Sequence, residues 1–204
     1  MPFDEEIKYT IEFIDDKYPI FVIPNLFYAK IDKLKEKIHD YRIKTKNTNI
    51  KDKNKVYHPL ISYKKGHIPN FYHENIDEFN EINDYILKIC ETIIKNFEGD
   101  ETNLKIYDMW VNFYEKGDYI SEHNHSYVDY ACCYYVDLEG DSSPILFSPI
   151  SVNPKNDMLI LFDARIFHSV PTTTGKRINI AMNLNRCSIP SKILDNVPNS
   201  FTYT

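Results

Sequence analysis

Three histidines and an arginine have the residue types and the spacing to hold a metal ion and an anionic ligand. His123 and His125 are separated by one residue, so on an extended chain both imidazoles project from the same side and can reach one ion. His168 offers a third nitrogen, and neutral imidazole is a ligand for iron, zinc, copper and nickel. Arg177 follows His168 by nine residues, and a guanidinium can bind a carboxylate through two parallel hydrogen bonds. The set predicts a metal site with an open face beside a carboxylate pocket, which is typical of an enzyme.

The segment that carries Arg177 has one polar and one apolar face. Residues 177–185 alternate strictly, which is the period of a β-strand. The apolar face is expected to pack on the core. Because an unpaired buried amide costs about 1–3 kcal/mol, the polar face is expected to line a wet cavity, with a solvent-exposed strand as the alternative. The polar face holds Arg177, Asn179, Ala181, Asn183 and Asn185, and the apolar face holds Ile178, Ile180, Met182 and Leu184.

Two earlier segments have faces that suit the same cavity. The aromatic and polar side of 107–114 suits a ligand pocket, although its Trp110 and Tyr114 are also compatible with the core. That side holds Asp108, Trp110, Asn112 and Tyr114, against Tyr107, Met109, Val111 and Phe113 on the other. In 119–125, one face holds Tyr119, Ser121, His123 and His125.

The sequence changes character near residue 100, from helical to strand periodicity. Before it, 30–43 and 75–98 carry apolar residues at steps of three and four, which predicts two helices. The run 19–27 is β-type and contains Pro24, which indicates an edge strand or a strand end. The order predicts an α+β, mainly β fold, a double-sheet sandwich or jelly roll with the N-terminal helices packed outside one sheet. The later strands are predicted at 104–114, 118–125, 130–137, 144–148, 157–162, 166–170 and 176–185.

The composition fits one globular domain of 204 residues, with 43% hydrophobic and 14% aromatic residues. We expect a strand plus supporting helices in 1–100, the jelly-roll core in 101–190 and a C-terminal tail in 191–204. Residues 44–55 are almost devoid of apolar side chains; a plain surface loop is the preferred interpretation, and a mobile lid over the site is the alternative. The histidines outside the pattern are interpreted as surface or hydrogen-bonded residues: His39, His58, His67 and His73.

Charge and cysteine content exclude several classes of function. A net charge of −6 disfavours general nucleic-acid binding, which depends on Lys and Arg. The four cysteines contain no CxxC pair, so we expect reduced core thiols and no zinc knuckle. No apolar run approaches the roughly 20 residues that span a bilayer, and the acidic start is unlike a signal peptide. We therefore expect a cytoplasmic protein without membrane association.

Four segments together resemble one enzyme superfamily. They are 112–125, which ends in Glu-His-Asn-His, 134–136 (Tyr-Tyr-Val), 158–171, which ends in Phe-His-Ser-Val-Pro, and 175–181 (Gly-Lys-Arg-Ile-Asn-Ile-Ala). This combination resembles the 2-oxoglutarate/Fe(II)-dependent oxygenases, above all the prolyl-hydroxylase-like branch and its members from phages and bacteria. The resemblance covers the C-terminal half, and the N-terminal strand and helices match more loosely. It implies a double-stranded β-helix fold.

The resemblance also implies roles for individual residues. His123 would be the first iron ligand and His168 the distal one, while Arg177 would bind the co-substrate 2-oxoglutarate. The implied reaction is hydroxylation of a protein or peptide side chain, with proline as one candidate. It uses Fe(II) and dioxygen and releases succinate and carbon dioxide. The other implied pocket residues are Tyr114, Tyr135, Asn112 and Asn183.

One position departs from the family pattern. The usual aspartate is His125 here, so the site would hold three neutral ligands and no carboxylate. A His-x-His pair resembles the phage and bacterial group, and His125 is retained as the third ligand. The competing local ligands are Glu122, which alternates away from His123, and Asp129, which lies beyond a predicted turn.

Two other functions stay open on the sequence. The chain could be a cupin-like, three-histidine dioxygenase that needs no 2-oxo acid, with Arg177 binding an acidic substrate or serving a structural role. It could also be a non-catalytic jelly-roll binding protein. The prime substrate and the oligomeric state are not encoded in any motif that we recognise.

Overall fold

The computed structural model describes residues 7–26, 28–47, 67–68, 77–99, 102–140 and 143–187. Two helices lie in the first half of this part of the chain: α1 (Ile31–Asn47) and α2 (Asp77–Glu98). The strands that precede residue 100 are β1 (Thr10–Ile14), β2 (Tyr18–Ile23) and β3 (His67–Ile68). The later strands are β4 (Leu104–Tyr114), β5 (Ile120–His123), β6 (Tyr130–Glu139), β7 (Ile145–Leu146), β8 (Ser151–Val152), β9 (Met158–Asp163), β10 (His168–Val170) and β11 (Lys176–Arg186).

The strands form two antiparallel sheets. The large sheet has the order β1-β2-β9-β6-β11-β4-β3, and the small sheet has the order β5-β10-β7-β8. The four later strands of the large sheet alternate along the chain with the strands of the small sheet, so the chain crosses between the sheets repeatedly. This is the double-stranded β-helix, or jelly roll, and the predicted fold class is confirmed.

The two helices cover the outer face of the large sheet. Helix α2 places an apolar stripe against that face because its large residues recur every three or four positions. Ile82, Ile86 and Ile93 in this stripe are completely buried. They pack in one cluster with Leu34 and Ile38 of α1 and with the outward side chains of β4, β6, β9 and β11. The predicted packing of the helices outside one sheet is therefore confirmed.

A second apolar cluster lies between the two sheets. It joins Ala131, Cys133 and Tyr135 of β6 to Ile145 of β7. Met158, Ile160 and Phe162 of β9 complete its wall on the large sheet. Adjacent Cys132 and Cys133 fall on opposite faces, as the strand period predicts, and the described cysteines are unpaired thiols. The inner face of the large sheet is thus apolar toward β9, and polar side chains concentrate on β11 and β4.

Several elements differ from the sequence prediction. Strand β2 ends at Ile23, just before Pro24, so the prediction of a strand end is confirmed. The alternative prediction of an edge strand is wrong, because β1 and β9 pair with β2 on its two sides. Helix α1 runs on to Asn47, into the segment predicted as a loop. Helix propensity of Lys and Arg supports this extension although apolar residues are scarce there. The sequence did not predict β1, β3 or β8, and the two-residue strands are too short to show a period.

Some predictions concern residues outside the described part of the chain. These are most of the 44–55 segment and the tail 191–204. Among the described residues, no helix combines the length and the apolar content that a membrane crossing needs.

Candidate active site

The three histidines predicted as metal ligands meet between the two sheets. His123 ends β5 and His168 begins β10, and these two residues are direct partners in the antiparallel pairing. His125 lies in the loop after β5, where its backbone N–H donates to the carbonyl of Ala164 at 2.8 Å. The ring centroids are 4.3 Å apart for His123 and His168, and 5.0 and 5.2 Å from each of these to His125. One donor nitrogen from each ring lies within 4.8 Å of the others, which is close enough to converge on one ion.

Two of the imidazoles are held in the tautomer that a metal ligand requires. Nδ1 of His123 lies 2.9 Å from the carbonyl oxygen of Ser121, and Nδ1 of His168 lies 3.1 Å from that of Ile166. A carbonyl oxygen can only accept, so each Nδ1 carries the hydrogen. The lone pair of each ring is then on Nε2, and it is available to a metal.

His125 is oriented by a side chain and not by a carbonyl. Its Nδ1 lies 3.4 Å from the Tyr127 hydroxyl, and that hydroxyl accepts a 2.8 Å hydrogen bond from Nδ2 of Asn183. Asn183 is completely buried, whereas Tyr127 is about half exposed. The ring centroids of Trp110 and His125 are 5.9 Å apart, with an angle of 30° between the rings. His125 therefore has two aromatic neighbours, of which Trp110 lines the cavity.

Burial keeps His168 neutral. Desolvation lowers the pKa of His168 well below its usual value of 6.5, and the neighbouring His123 and His125 lower it further. An imidazole must be unprotonated to bind a metal. His168 is thus in the form that binds a cation at neutral pH.

Neither competing carboxylate belongs to the cluster. Glu122 is exposed on the opposite side of β5. The carboxylate of Asp129 accepts a 2.7 Å hydrogen bond from the backbone N–H of Arg186. Among the described residues, the metal-ligand group contains the three histidines alone.

Arg177 lies in the same cavity, buried between two tyrosines. It is 1% exposed, and its Cζ lies 4.1 Å from the ring centroid of Tyr114 and 5.6 Å from that of Tyr135. Nη1 donates to the carbonyl of Ser143 at 3.0 Å, while Nε has no hydrogen-bond partner within the protein. A buried cation with an unused donor costs free energy unless an anion completes its bonding. The guanidinium can therefore accept an additional hydrogen-bonding partner, and an anion would suit it.

The residues around the guanidinium supply no negative charge. Burial alone would lower the pKa of Arg177, but its interactions with Tyr114, Tyr135 and Cys133 outweigh this and leave the pKa above its usual value. Burial raises the pKa of Cys133 to about 12 and raises that of Tyr135 well above 10.0. Both groups are neutral at physiological pH, so an anion bound to Arg177 meets no competing charge.

The histidines and the arginine line one cavity between the two sheets. The predicted pocket residues Tyr114, Tyr135, Asn112 and Asn183 all line it. Asn179 also lines it and donates to the Cys133 sulfur at 2.9 Å, which leaves its buried Oδ1 without a partner in the protein. The polar face of β11 therefore looks into a cavity, as its sequence predicts. The apolar part of the lining includes Ile120, Ile145, Phe162, Val170, Ala131, Ala181 and Met182.

β-bulges correct two of the predicted strand faces. Between β5 and β10 the pairing slips between Ile120 and His123, and Ile120 lines the cavity in place of Tyr119 and Ser121. Between β4 and β11 the pairing passes from Asp108 to Ile106, which leaves Tyr107 as the extra residue. Tyr107 is 58% exposed, not packed with Met109 on the apolar side as predicted. An inserted residue shifts the alternation, which strict period-two reasoning cannot anticipate.

Tyr127 is a neighbour of His125 that the sequence did not indicate, and Asn185 lies elsewhere than its place on the polar face of β11 predicts. Tyr127 lies in the turn after His125, where strand alternation does not apply, so no periodicity marks it. Asn185, predicted on the cavity face, instead accepts a hydrogen bond from the backbone N–H of Asp129 at 3.3 Å. Asn185 is close to the end of β11 and does not line the cavity.

Comparison with known proteins places this fold among structures of oxygenases. No family model matches the chain, and no curated protein does either. The viral collagen prolyl hydroxylase of Paramecium Bursaria Chlorella virus-1, in its 2OG complex, has a TM-score of 0.56 and 16% identity over 82% of this chain and 96% of that one. A prolyl-4-hydroxylase of Pseudomonas putida has a TM-score of 0.55 and 14% identity over 85% and 95% of the two chains.

A third solved structure with this fold is HygX from Streptomyces hygroscopicus, with nickel, 2-oxoglutarate and hygromycin B bound. Its TM-score is 0.56, with 10% identity over 85% of each chain. At these identities the comparisons establish a shared fold.

Proposed function

We propose that this protein is an Fe(II)- and 2-oxoglutarate-dependent dioxygenase that hydroxylates a side chain of a protein or peptide, with proline as one candidate residue. The observation that carries the proposal is the placement of three histidine nitrogens and a buried, incompletely bonded guanidinium in one cavity. The fold shared with prolyl hydroxylases supports the same reaction class.

The histidine cluster fits an iron ion. His123, His125 and His168 would bind from one side, and imidazole nitrogen is a suitable donor for Fe(II). Three protein ligands leave coordination positions for a bidentate 2-oxo acid and for dioxygen. Iron held by these residues, together with 2-oxoglutarate and dioxygen, would supply the oxidation of a C–H bond, with succinate and carbon dioxide as by-products. The protein's share is to orient the reactants and to exclude water.

Arg177 fits the distal carboxylate of 2-oxoglutarate. Its unpaired Nε and its planar guanidinium can form a charge-assisted, two-point contact with that carboxylate. The hydroxyls of Tyr114 and Tyr135 lie on the same cavity wall and can add hydrogen bonds. Because the surrounding groups are neutral and buried, the contact gains strength from the low local dielectric.

The third ligand also supports a second candidate function. Three neutral histidines leave the full charge of a divalent ion in the site, whereas a carboxylate ligand would offset one unit. This donor set is suitable for a three-histidine dioxygenase that binds an acidic substrate directly at Arg177. The two candidates differ in their need for 2-oxoglutarate.

The decisive experiment measures succinate formation from 2-oxoglutarate by the purified protein with Fe(II) and dioxygen, in the absence of a prime substrate. We expect slow, iron-dependent turnover in the wild type and its loss in His123→Ala and His168→Ala. His39→Ala is the matched control, because His39 is an exposed histidine on α1, outside the cluster.

Three results would contradict the proposal. Oxygen consumption that requires iron but not 2-oxoglutarate favours the three-histidine dioxygenase. Absence of both turnover and iron-dependent 2-oxoglutarate binding in the wild type indicates a non-catalytic jelly roll. Equal turnover in His123→Ala and His39→Ala excludes the cluster as the iron site.

A further inference from the structure

The buried amide of Asn183 faces the cavity with an unused acceptor. Asn183 lies in β11, is completely buried and lines the cavity together with the three histidines. Its Nδ2 donates a 2.8 Å hydrogen bond to the Tyr127 hydroxyl, whereas its Oδ1 has no hydrogen-bond partner among the described residues. A buried acceptor that stays unpaired is unfavourable, because it has lost its bonds to water without replacement. An occupant of the cavity that donates a hydrogen bond to Oδ1 would remove this cost.

The position of Asn183 along β11 places its acceptor at the histidine end of the cavity. The Tyr127 hydroxyl, which accepts the hydrogen bond from Asn183, lies 3.4 Å from Nδ1 of His125. Arg177 lies at the other end of the same strand. At about 3.3 Å per residue, Arg177 and Asn183 are roughly 20 Å apart along the strand. The four carbon–carbon bonds of 2-oxoglutarate, at about 1.5 Å each, do not span this distance. A co-substrate held at Arg177 therefore leaves the acceptor of Asn183 to the other occupant of the cavity, the prime substrate.

The cavity lining favours a donor without charge. Among the described residues that line the cavity, Arg177 has a permanent charge, and none is an aspartate, a glutamate or a lysine. Asp108 of β4 pairs with Asn183 in the sheet but is not part of the lining. Trp110 and Ala181 belong to the same wall and offer no charge either. A cationic donor such as an ammonium group would lose its hydration without a counter-ion in the lining. The donor that fits Asn183 is therefore a neutral amide N–H or a hydroxyl group.

We propose that Asn183 determines substrate specificity: its Oδ1 accepts a hydrogen bond from a neutral amide N–H or hydroxyl of the substrate group that lies beside His125. The proposal rests on the proposed function for the reaction, and it narrows the class of substrate. A prolyl residue has no backbone N–H, so a prolyl group at this place would leave Asn183 unpaired. A site built to bind a donor rejects an analogue that lacks it, because the polar group of the site then stays unpaired. The substrate group beside His125 is therefore one that carries its own donor.

Fluorescence of Trp110 gives a direct test, because Trp110 is the one tryptophan in the sequence and lines the cavity next to His125. The full-length protein, without iron or 2-oxoglutarate, is titrated with three small probes. They are N-acetylalanine methylamide, the same compound with both nitrogens methylated, and the methylated compound with serine in place of alanine, whose hydroxyl is its only donor. We expect a donor-bearing probe to bind about tenfold more tightly than the methylated alanine compound. Comparison of the two donor-bearing probes distinguishes an amide from a hydroxyl.

Three variants separate recognition by Asn183 from a general effect on the fold. Asn183→Leu removes the acceptor at similar size, and the three probes should then bind within about twofold of one another. Asn183→Asp keeps an acceptor oxygen at the same place and should retain the preference for a donor. Asn185→Leu is the matched control, because Asn185 is the same residue type on the same strand but does not line the cavity. This control should show the preference of the wild type, and thermal unfolding of each variant shows whether it is folded.

Several outcomes would overturn the role of Asn183. These are no binding of any probe to the wild type, equal binding of all three probes, or equal loss of the preference in Asn183→Leu and Asn185→Leu. Equal binding is also the result expected if water alone occupies the acceptor. Since the titration omits iron and 2-oxoglutarate, succinate formation without a preference for donors refutes recognition by Asn183 and leaves the proposed function standing. A preference for donors without succinate formation refutes the proposed function and leaves Asn183 as a binding residue.

Discussion

At the scale of single residues, the three imidazoles are oriented by two kinds of hydrogen-bond partner. The backbone carbonyls of Ser121 and Ile166 orient His123 and His168, respectively. A carbonyl oxygen can only accept a hydrogen bond, so these two contacts fix the tautomer. The hydroxyl of Tyr127, which can donate or accept, lies beside His125. His125 stands where the resemblance predicts an aspartate. It is thus also the one of the three histidines whose hydrogen-bond partner can either donate or accept. Partners of this kind influence metal affinity because they fix the tautomer and the orientation of the ligand.

The role of Arg177 leads to a prediction that separates ligand binding from folding. Arg177→Lys keeps the positive charge but removes the planar, two-point donor geometry. We expect 2-oxoglutarate affinity to fall by more than tenfold while Fe(II) affinity changes by less than about twofold, because a bidentate charged contact contributes more than 1.4 kcal/mol. Isothermal titration of each ligand measures both effects. Equal losses of the two affinities would identify Arg177 as a folding residue.

At the scale of elements, helix α2 and the bulges have separable tasks. The helix seals the outer face of the large sheet with residues such as Ile82, Ile86 and Ile93, which are fully buried. The bulges next to β5 and in β4 determine that Ile120 lines the cavity and that Tyr107 is exposed. A third irregularity lies in the pairing of β6 with β11, between Ile178 and Asn179.

The scaffold role of α2 predicts a change in stability without a change in the site. Ile86→Ala removes a completely buried side chain and should lower the free energy of unfolding by about 2–5 kcal/mol, since a cavity is left in the core. Asp84→Ala, on the exposed side of the same helix, should change it by less than about 0.5 kcal/mol. Urea denaturation measures both values. A loss below about 1 kcal/mol for Ile86→Ala would show that α2 packs only loosely on the sheet.

At the scale of the whole molecule, the large sheet separates two environments. Its outer face is an apolar layer shared with the helices, and its inner face meets the small sheet around the cavity. The small sheet supplies His123 and His168, whereas the large sheet supplies Arg177, Tyr114 and Tyr135. The site therefore exists only when both sheets are formed and packed together. Binding of a metal and of an anion would stabilise this closed arrangement by mass action.

Burial of His168 makes the stability of the metal-free protein depend on pH. Its pKa is lowered in the folded state, so between that value and the ordinary 6.5 the unfolded chain binds more protons. The contribution of neutral His168 to the free energy of unfolding is then fully present above pH 6.5. It decreases as the pH falls below 6.5, with a slope of up to about 1.4 kcal/mol per pH unit for one proton. Urea denaturation at about pH 7.5, 6.5 and 5.5 is expected to show this decrease.

A variant identifies the group responsible for this slope. His168→Gln should be less sensitive to pH across the same range, even if its stability at neutral pH is lower. Glu98, whose pKa the hydrogen bond from Arg186 lowers below 4.5, contributes stability that is lost only at more acidic pH. An identical slope in His168→Gln and the wild type would assign the effect to other groups.

Much of the fold could be predicted from the sequence because its periods are strong. The apolar stripe of α2 and the alternation of β4 and β11 each follow from the burial of one face. The short strands β3 and β8 could not be predicted from the sequence, because two residues cannot display a period. Strand β1 has mostly exposed or half-buried side chains, so pairing with β2 and not burial determines its conformation.

The sequence by itself determined the chemical types of the candidate site: three imidazoles that suit a metal and a guanidinium that suits a carboxylate. It also determined that the polar face of β11 would need a cavity, since buried amides require partners. Only the tertiary structure decided that the histidine nitrogens lie within 4.8 Å of one another and that Arg177 retains an unused donor. It likewise decided that Tyr107 leaves the core. These features depend on pairing register and on contacts between sheets, and a one-residue slip between strands, invisible in local alternation, changes which side chains meet.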